Sequence, residues 1–512
     1  MAETRHDETK NRHDDTRSMK ARMDVRHPTL VMLGLYLGAF LGMLSETSMN
    51  IALPSLMDTF GVGAGTAQWL VVGYMLVIGV VLPFVGLLLK WFRAKTLLVV
   101  ALGAFLVGSL MSGLAPTFAM LLAGRMIQGV STGLVLPMMF SVLLEVFPKS
   151  KIGTAMGITT LIIMFAPAVG PTLSGFFIGA FNWRWIFYFF AVVAAVALLC
   201  TFAFMVNPYE LTRPRIDVFS CLTSVVGFGG LVLGVSLVGE FGLSAAVVAI
   251  LVVGAVAVAL YGRRQLQMDV PVVNLRAFAI PQFTTGAIVV MMNFGITLCA
   301  MYLMPQEIQD GMGIPAAMAG LVMLPGGVVN AVVSLLSGRL YDVIGPKILV
   351  RSGLVISVVG LALLMAAGTT SSVAYIIAAH VVLMIGVPLT MSPAQSTALA
   401  ALPPQLSTDG STILNTMQQV WGAIATAVVT VLLGAGQSSA VRAGAGHAQA
   451  FVTGSRFGFA FAVVLAVIGF VAALRITSLS GLIRAEKVPD VDVRDLGAVA
   501  AGRPEVARER KA

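Results

Sequence analysis

Charged residues are scarce in this chain, because only 11% of its 512 residues are Asp, Glu, Lys or Arg. Soluble globular domains carry about 25% charged residues, so a soluble domain of ordinary composition is excluded as the bulk of the protein. Cysteine is scarce as well: Cys200, Cys221 and Cys299 are the only three, and none form a Cys-x-x-Cys pair. This spacing indicates neither a disulfide framework nor a zinc site. The sequence therefore predicts no cofactor and no metal.

Two binding patterns are also missing from the sequence. It contains no Gly-x-x-x-x-Gly-Lys-[Ser/Thr] loop that could hold a nucleotide. The net charge of +9 would suggest a nucleic-acid partner in a soluble protein. Outside the apolar segments, however, basic residues do not alternate with aromatic ones, so no nucleic-acid partner is predicted. If the protein moves a solute, an ion gradient must drive the movement.

Apolar residues, in contrast, make up 58% of the chain. They form fourteen segments that are long enough to cross a bilayer, which takes roughly 20 residues. The predicted spans are 29–53, 66–89, 95–114, 117–145, 152–179, 184–206, 218–239, 243–262, 283–304, 315–337, 347–368, 372–399, 411–433 and 455–476. We therefore predict an all-α membrane protein with fourteen transmembrane helices.

Positive charge falls in alternate gaps between these spans. All but four of the 32 Lys and Arg residues lie in or next to the two tails and the even-numbered loops, the exceptions being Arg125, Arg184, Arg442 and Arg456. Loops that carry Lys and Arg stay in the cytoplasm, where they also attract anionic membrane lipids. The charge pattern thus predicts a multi-pass protein of the cell membrane with both termini in the cytoplasm.

The predicted spans group as six, two and six. The resulting domains are a tail at 1–28, an N-terminal six-helix bundle at 29–206, two extra helices with linkers at 207–282, a C-terminal six-helix bundle at 283–476 and a tail at 477–512. Both tails are expected to be disordered or loosely ordered.

The two six-helix groups contain matching loops. Gly86 is followed nine positions later by Lys95 after the second span, and Gly338 is followed nine positions later by Lys347 after the tenth. Two matching six-helix halves are typical of secondary transporters, which bind substrate between the halves near the middle of the membrane.

Glu46 is the only acidic residue placed well inside a predicted span, and Arg125 is the only basic one. An acid at the centre of a membrane helix costs roughly 2.5–3.5 kcal/mol, so it is expected to face a partner or a wet cavity. Both residues lie at a depth of roughly 10–12 Å from the outer ends of their helices. They could pair directly or through Asn50, Gln128 or water. We predict that Glu46 and Arg125 couple transport to protons; a fixed ion pair for Glu46, or binding of backbone carbonyls by Arg125, is the alternative.

Amide side chains in the spans are candidates for the wall of a substrate cavity. We select Asn50, Gln128, Asn293, Asn415 and Gln418, with Asn330 and Gln419 as further candidates. The alternative is that they join helices by hydrogen bonds. A further polar residue, His380, lies in span 12, roughly where the repeat places Arg125 in span 4. It could be a second titrating group or a packing residue.

Several motifs resemble those of one transporter family. Residues 124–129 (GRMIQG) in span 4 resemble an Arg-x-x-Gln-Gly motif, and residues 167–175 (PAVGPTLSG) in span 5 resemble the Gly-Pro motif of exporters. Residues 183–188 (WRWIFY), and Gln68-Trp69 with Tyr74, resemble further features of fourteen-span exporters. In span 1, the Glu-Thr-x-x-Asn pattern of residues 46–50 is similar to that of lincomycin- and multidrug-type exporters.

By these motifs the chain resembles the bacterial fourteen-span drug:proton antiporters of the major facilitator superfamily. The resemblance implies an antiporter motif formed by Pro167, Gly170, Pro171 and Gly175. It also implies a gating loop formed by Gly338, Asp342, Gly345 and Lys347.

The matching loop of the first half departs from this signature. It has Lys90 and Arg93 where the family has Asp and Gly.

The function implied by the resemblance is export of amphipathic small molecules, such as drugs and antibiotics, in exchange for protons by alternating access. Such an exporter would be a monomer in a bacterial membrane. A dedicated proton-coupled exporter of a single metabolite is an alternative. A non-transporting sensor or a membrane enzyme is a more remote one, since the spans show no cluster of catalytic residues.

Overall fold

The computed structural model of the chain describes residues 27–148, 151–208, 211, 217–242, 244–268, 271–314, 316–403 and 406–476. The predicted C-terminal tail and nearly all of the N-terminal tail lie outside this set. Helices dominate the described residues, and no strand occurs among them.

Six long helices form the first half of the fold. They are α1 (Pro28–Phe60), α2 (Ala64–Val81, continued through a 3-10 turn at Leu82–Phe84 by Val85–Trp91), α3 (Ala94–Gly113), α4 (Phe118–Val146), α5 (Ile152–Ala180) and α6 (Arg184–Phe204).

Two helices follow the first half: α7 (Val218–Phe241) and α8 (Ala245–Gln267). A linker with a 3-10 turn at Leu275–Ala279 then leads to the second half. Its helices are α9 (Pro281–Gln306, with a π turn at Glu307–Gly311), α10 (Ala316–Ile344), α11 (Pro346–Ala366), α12 (Val373–Ala400), α13 (Ser407–Arg442) and α14 (His447–Ala473).

These helices confirm the predicted fold class, because one long helix, in two segments for α2, coincides with each of the fourteen predicted spans. Thirteen segments of the described chain are long and apolar enough to cross a bilayer. The remaining helix, α5, is 29 residues long.

Local sequence signals account for where many of the helices begin. Thr117, Ser244 and Ser372 accept a hydrogen bond from a backbone N–H in the first turns of α4, α8 and α12, which is the preferred way to cap a helix N-terminus. Proline occupies the first position of α1, α9 and α11, where its missing N–H costs nothing.

Matching glycine contacts show that the halves are structural repeats. A Cβ on Gly108 of α3 would lie 2.6 Å from the carbonyl oxygen of Gly124 on α4. A Cβ on Gly353 of α11 would lie 2.8 Å from the carbonyl oxygen of Gly386 on α12. Only glycine allows such close approach of two helices. Gly124 therefore corresponds to Gly386, and the counterpart of Arg125 is Val387.

This correspondence corrects the expected position of His380. The residue lies six positions before Gly386, so it sits well over one helical turn away from the counterpart of Arg125. Its side chain is buried against α10, where a Cβ on Gly326 would lie 2.5 Å from the His380 Cε1 atom. The sequence placed His380 by counting residues from the ends of the apolar segments, and those ends do not mark the repeat accurately.

Candidate functional site

A central cavity of about 560 Å³ lies between the two halves. Residues from α1, α2, α5, α9 and α13 line it, and so do residues from α7. Most of the lining is apolar, with Met43, Met75 and Met301 among the side chains. Flexible thioethers adapt to ligands of different shape. Glu46 is the only carboxylate among the described residues that line the cavity, and no Lys or Arg accompanies it.

Glu46 is half-buried at the cavity wall, and its Oε2 atom has no hydrogen-bond partner within the described residues. The neighbouring turn of α1 contacts α5 closely, because a Cβ on Gly170 would lie 3.2 Å from the carbonyl oxygen of Leu44 and would overlap the Thr47 hydroxyl. Gly170 thus permits α5 to touch α1 beside Glu46. Of the other residues in this motif, Pro167 lines the cavity and Gly175 is exposed with open space around it.

α5 continues as a helix through Gly170 and Pro171. The side chains of Pro171 and Asn50 lie outside the described residues.

Arg125 is fully buried behind the cavity wall. Its Nε atom donates to the carbonyl oxygen of Leu70 at 3.3 Å, and its Nη1 atom donates to Gln128 Oε1 at 2.9 Å and to the hydroxyl of Ser45. An electrostatic interaction connects Arg125 with Glu46. However, Arg125 Nη2 has no hydrogen-bond partner among the described residues. The guanidinium is therefore held by neutral groups on α2, α4 and α1.

Tyr74 is a partner of Arg125 that sequence reasoning did not identify. The Arg125 Cζ atom lies 4.1 Å from the centroid of the Tyr74 ring, a cation–π distance. The Tyr74 hydroxyl donates to the carbonyl oxygen of Gly42 at 2.8 Å and lies 2.7 Å from Thr132 Oγ1. The fully buried phenol thereby fixes the relative position of α1, α2 and α4. Its signal in the sequence was the motif at Gln68-Trp69 and Tyr74, but no spacing rule paired Tyr74 with Arg125.

The structure places four of the predicted cavity amides away from the cavity. Gln128 belongs to the Arg125 network, and its Nε2 donates to Ser109 Oγ at 2.8 Å. Asn293 Nδ2 donates to the carbonyl oxygen of Val387 at 3.1 Å, and Asn415 Nδ2 donates to that of Ser411 at 2.8 Å.

Gln418 is buried as well, whereas its neighbour Gln419 lines the cavity. Successive helix residues point about 100° apart. The rotation of each helix, which sequence does not reveal, decides which amide faces the cavity.

The last turn of α10 contacts the other half of the fold. Asp342 accepts hydrogen bonds from the backbone N–H groups of Gly153 and Thr154 at 2.9 Å each and from Thr154 Oγ1 at 2.6 Å. These N–H groups belong to the first turn of α5, where unpaired donors and the helix dipole favour an anion.

Glycines on both helices make this contact possible. A Cβ on Gly338 would lie 2.9 Å from the Gly157 Cα atom, and Gly345, after α10, has a φ of +76°. Lys347 is exposed at the start of α11.

The last turn of α2 is the corresponding segment of the first half. It makes the reciprocal contact, and its side chain carries a positive charge instead of a negative one. Lys90, in the last turn of α2, lies 2.8 Å from Asp409 Oδ1 and 3.1 Å from Asp409 Oδ2. Asp409 is the third residue of α13 and is only 2% exposed, whereas Lys90 is 24% exposed. A carboxylate in the first turn of a helix and an ammonium in the last turn both suit the helix dipoles. We refer to the Asp342–α5 contact and the Lys90–Asp409 pair as the two latches.

Asp409 and Glu307 are two further buried acids, which the sequence did not identify. Asp409 is 2% exposed and Glu307 is 4% exposed. Both lie beyond the apolar segments, since α13 begins four residues before span 13 and a π turn extends α9 past span 9. Hydropathy ends a span at the first polar residues, but these helices continue because protein groups surround the polar side chains.

Comparison with known proteins identifies relatives of the chain. A family model described as the Major Facilitator Superfamily matches residues 35–426. The chain is 42% identical over 453 residues to the lincomycin resistance protein LmrB of Listeria monocytogenes, with 87% of this chain and 96% of that protein covered. It is 44% identical over 452 residues to LmrB of Bacillus subtilis, with 86% and 94% covered.

A solved structure shares the fold. The proton:xylose symporter XylE aligns with a TM-score of 0.57 at 16% identity, with 93% of this chain and 99% of that chain covered.

Proposed function

This chain belongs to the major facilitator superfamily, and we propose that it exports amphipathic small molecules, including drugs and antibiotics, in exchange for protons. It is a transporter rather than an enzyme, and a multi-pass protein of the plasma membrane. The names of its relatives, which carry the words lincomycin resistance, support a drug as substrate.

The observation that carries the proposal is the lone carboxylate in the cavity. Glu46 Oε2 has no partner among the described residues, and the wall around it is mostly apolar. Besides the charge of Arg125 behind the wall, a carboxylate in such surroundings is stabilised by a proton or by a positively charged ligand. Because both would occupy the same oxygens, binding of a cationic substrate and binding of a proton exclude each other. Arg125 positions this site through Ser45, the residue before Glu46.

Alternating access follows from the latches in this proposal. The two latches lie at the C-terminal ends of the even-numbered helices α2 and α10, so they lie on one side of the membrane, which is the cytoplasmic side if both termini are cytoplasmic. A third contact on that side joins the hydroxyls of Ser141 and Ser411 at 2.6 Å. Gln419, in the cavity wall, lies roughly 15 Å farther along α13 than Asp409. In this proposal the conformation is closed to the cytoplasm, and release of both latches opens the cavity inward.

Uptake of lincomycin or ethidium into everted membrane vesicles tests the proposal. An imposed gradient of one pH unit supplies about 1.4 kcal/mol per proton, which concentrates a substrate about tenfold. We expect accumulation of that order without ATP and its loss when a protonophore is added. Accumulation that requires ATP and persists with the protonophore would contradict the proposal.

A further inference from the structure

Helix α7 stands outside the two six-helix halves in the chain order, yet three of its residues line the central cavity. Val232, Val235 and Ser236 contribute to the wall. They are spaced i, i+3 and i+4, which places them on one face of the helix. We propose that this face of α7 is a substrate-contacting wall of the cavity and helps to set which substrates fit. This inference rests on the proposed function and extends it to a helix that the repeat does not include.

Close contacts hold α7 against α2. A Cβ on Gly79 of α2 would lie 2.9 Å from Val232 Cγ2, and a Cβ on Gly229 of α7 would lie 2.9 Å from Val80 Cγ2. The two helices therefore meet through a glycine from each side. α7 also contacts α13. Since α2 belongs to the first half and α13 to the second, α7 closes the side of the cavity where the two halves face each other.

The base of α7 is tied to α8 and to the linker that follows. Arg264 Nε donates to Asp217 Oδ2 at 3.1 Å, and this hydrogen bonding holds the pKa of Asp217 below its usual range. Gln265 Nε2 donates to Ser220 Oγ at 2.6 Å, and Gln265 Oε1 accepts from the Val272 backbone N–H at 2.7 Å. The bonds of Gln265 are buried, whereas the Asp217–Arg264 pair is at the surface. The buried bonds connect α7 to α8 and to the linker, so the lining face is a built part of the cavity.

The lining face has a distinct chemistry. Ser236 is half-buried, and its hydroxyl donates to the carbonyl oxygen of Val232 at 2.8 Å. The proton of this hydroxyl is thus used within the helix, and its lone pairs remain to accept a hydrogen bond from a substrate donor. Val232 and Val235 present stiff branched side chains, which set the width of the cavity on this side. The wall therefore suits a bulky apolar body that carries an N–H or O–H group.

Thiol labelling tests whether this face is wetted. The full chain carrying Ser236→Cys is compared with one carrying Val226→Cys, because Val226 lies on α7 at 47% exposure and outside the cavity. The unmodified chain gives the background of its three native cysteines. A charged, membrane-impermeant thiol reagent needs water and a thiolate, so we expect labelling of Ser236→Cys to be about tenfold faster than that of Val226→Cys. Equal labelling rates of the two variants would overturn the proposal that α7 forms a wall of the cavity.

Transport selectivity gives the second test. Val235→Trp narrows the cavity, whereas Val226→Trp adds the same side chain on the surface away from it. We expect Val235→Trp to lower the efflux of tetraphenylphosphonium about tenfold relative to that of the flatter ethidium, and Val226→Trp to leave this ratio unchanged. An unchanged ratio in Val235→Trp would overturn the role in selectivity. If the unmodified protein exports neither probe, the proposed function fails instead, and this outcome is recognised without any variant.

Discussion

At the scale of single residues, the site depends on how Arg125 is held. Its guanidinium makes three kinds of contact. Nε donates to a carbonyl oxygen, Nη1 donates to Ser45 and Gln128, and the guanidinium lies over the Tyr74 ring. Lysine has the same charge but offers one nitrogen on a flexible stem, so it cannot reproduce this arrangement. The position of the charge, rather than its presence, is what the surrounding residues specify.

Arg125→Lys is therefore expected to impair transport strongly although the net charge is unchanged. Each hydrogen bond of a charged group contributes roughly 1.5–3 kcal/mol, and the substitution removes more than one. We expect at least a tenfold loss of drug efflux and a lower melting temperature of the purified protein. The control is Arg442→Lys, since Arg442 is exposed and its Nε donates to the carbonyl oxygen of Ser438 in its own helix. Equal efflux by the two variants would refute this role for Arg125.

The sequence predicted part of this site and could not predict the rest. The depth of Glu46 and Arg125 followed from counting residues within their apolar segments. The partners of Arg125 could not be predicted in this way. Ser45, Tyr74 and the carbonyl oxygen of Leu70 reach Arg125 only because α1, α2 and α4 are packed with particular rotations about their axes. The same limit explains why Gln418 was chosen as a cavity residue while its neighbour Gln419 lines the wall.

At the scale of elements, the two latches occupy equivalent positions in the two halves, but the side chains that form them carry opposite charges. In the second half a carboxylate caps a helix of the first half, and in the first half an ammonium binds a carboxylate in the first turn of a helix of the second. The sequence showed Lys90 as a departure from the family signature, but it did not reveal Asp409 as its partner. The two residues are 319 positions apart, and only the packing of α2 against α13 brings them together.

Breaking the Lys90–Asp409 pair should open the latch side. Removing one partner of a buried pair costs roughly 3–5 kcal/mol, and the exposure of Lys90 reduces this figure. We expect Lys90→Gln to increase the rate at which Ser411→Cys, buried next to Ser141, reacts with an impermeant thiol reagent in everted vesicles. The double variant Lys90→Asp with Asp409→Lys should restore slow labelling.

An exposed ion pair, between Asp217 and Arg264, provides the control for this experiment. Arg264 Nε lies 3.1 Å from Asp217 Oδ2, and the Arg264 side chain is 44% exposed. Surface pairs contribute only about 0–1 kcal/mol, so Asp217→Asn should change the labelling of Ser411→Cys far less than Lys90→Gln does. A latch role is refuted if the two substitutions have the same effect, or if the charge swap labels as fast as Lys90→Gln.

At the scale of the whole molecule, the repeat and the charge bias together define the transporter. The pairs Gly108–Gly124 and Gly353–Gly386 show the same helix packing in the two halves, and the positive residues predict that the latch side is cytoplasmic. α7 and α8 are additions to this plan, and nothing in their apolar sequence indicated that one of them lines the cavity. Hydropathy identifies a span but not its neighbours.

The orientation can be checked with reporter fusions. A reporter that works only in the cytoplasm should be active when it is placed after Arg264, since this residue lies in the last turn of the even-numbered helix α8. A reporter that works only outside the cytoplasm should be active when it is placed at residue 444, between α13 and α14. The opposite result at one site would contradict the count of fourteen spans. The opposite result at both sites would place the latches on the outer side and remove the inward-opening step from the mechanism.

The measurement that tests the central claim most directly is proton release on substrate binding. Purified protein in weakly buffered solution is mixed with tetraphenylphosphonium, and a pH indicator follows the protons released. If cation and proton exclude each other on Glu46, the unmodified protein releases up to about one proton per molecule, and Glu46→Gln releases none. Glu307→Gln is the control, since Glu307 is also buried but does not line the cavity, and it should release protons as the unmodified protein does. Equal release by Glu46→Gln and the unmodified protein would contradict the account.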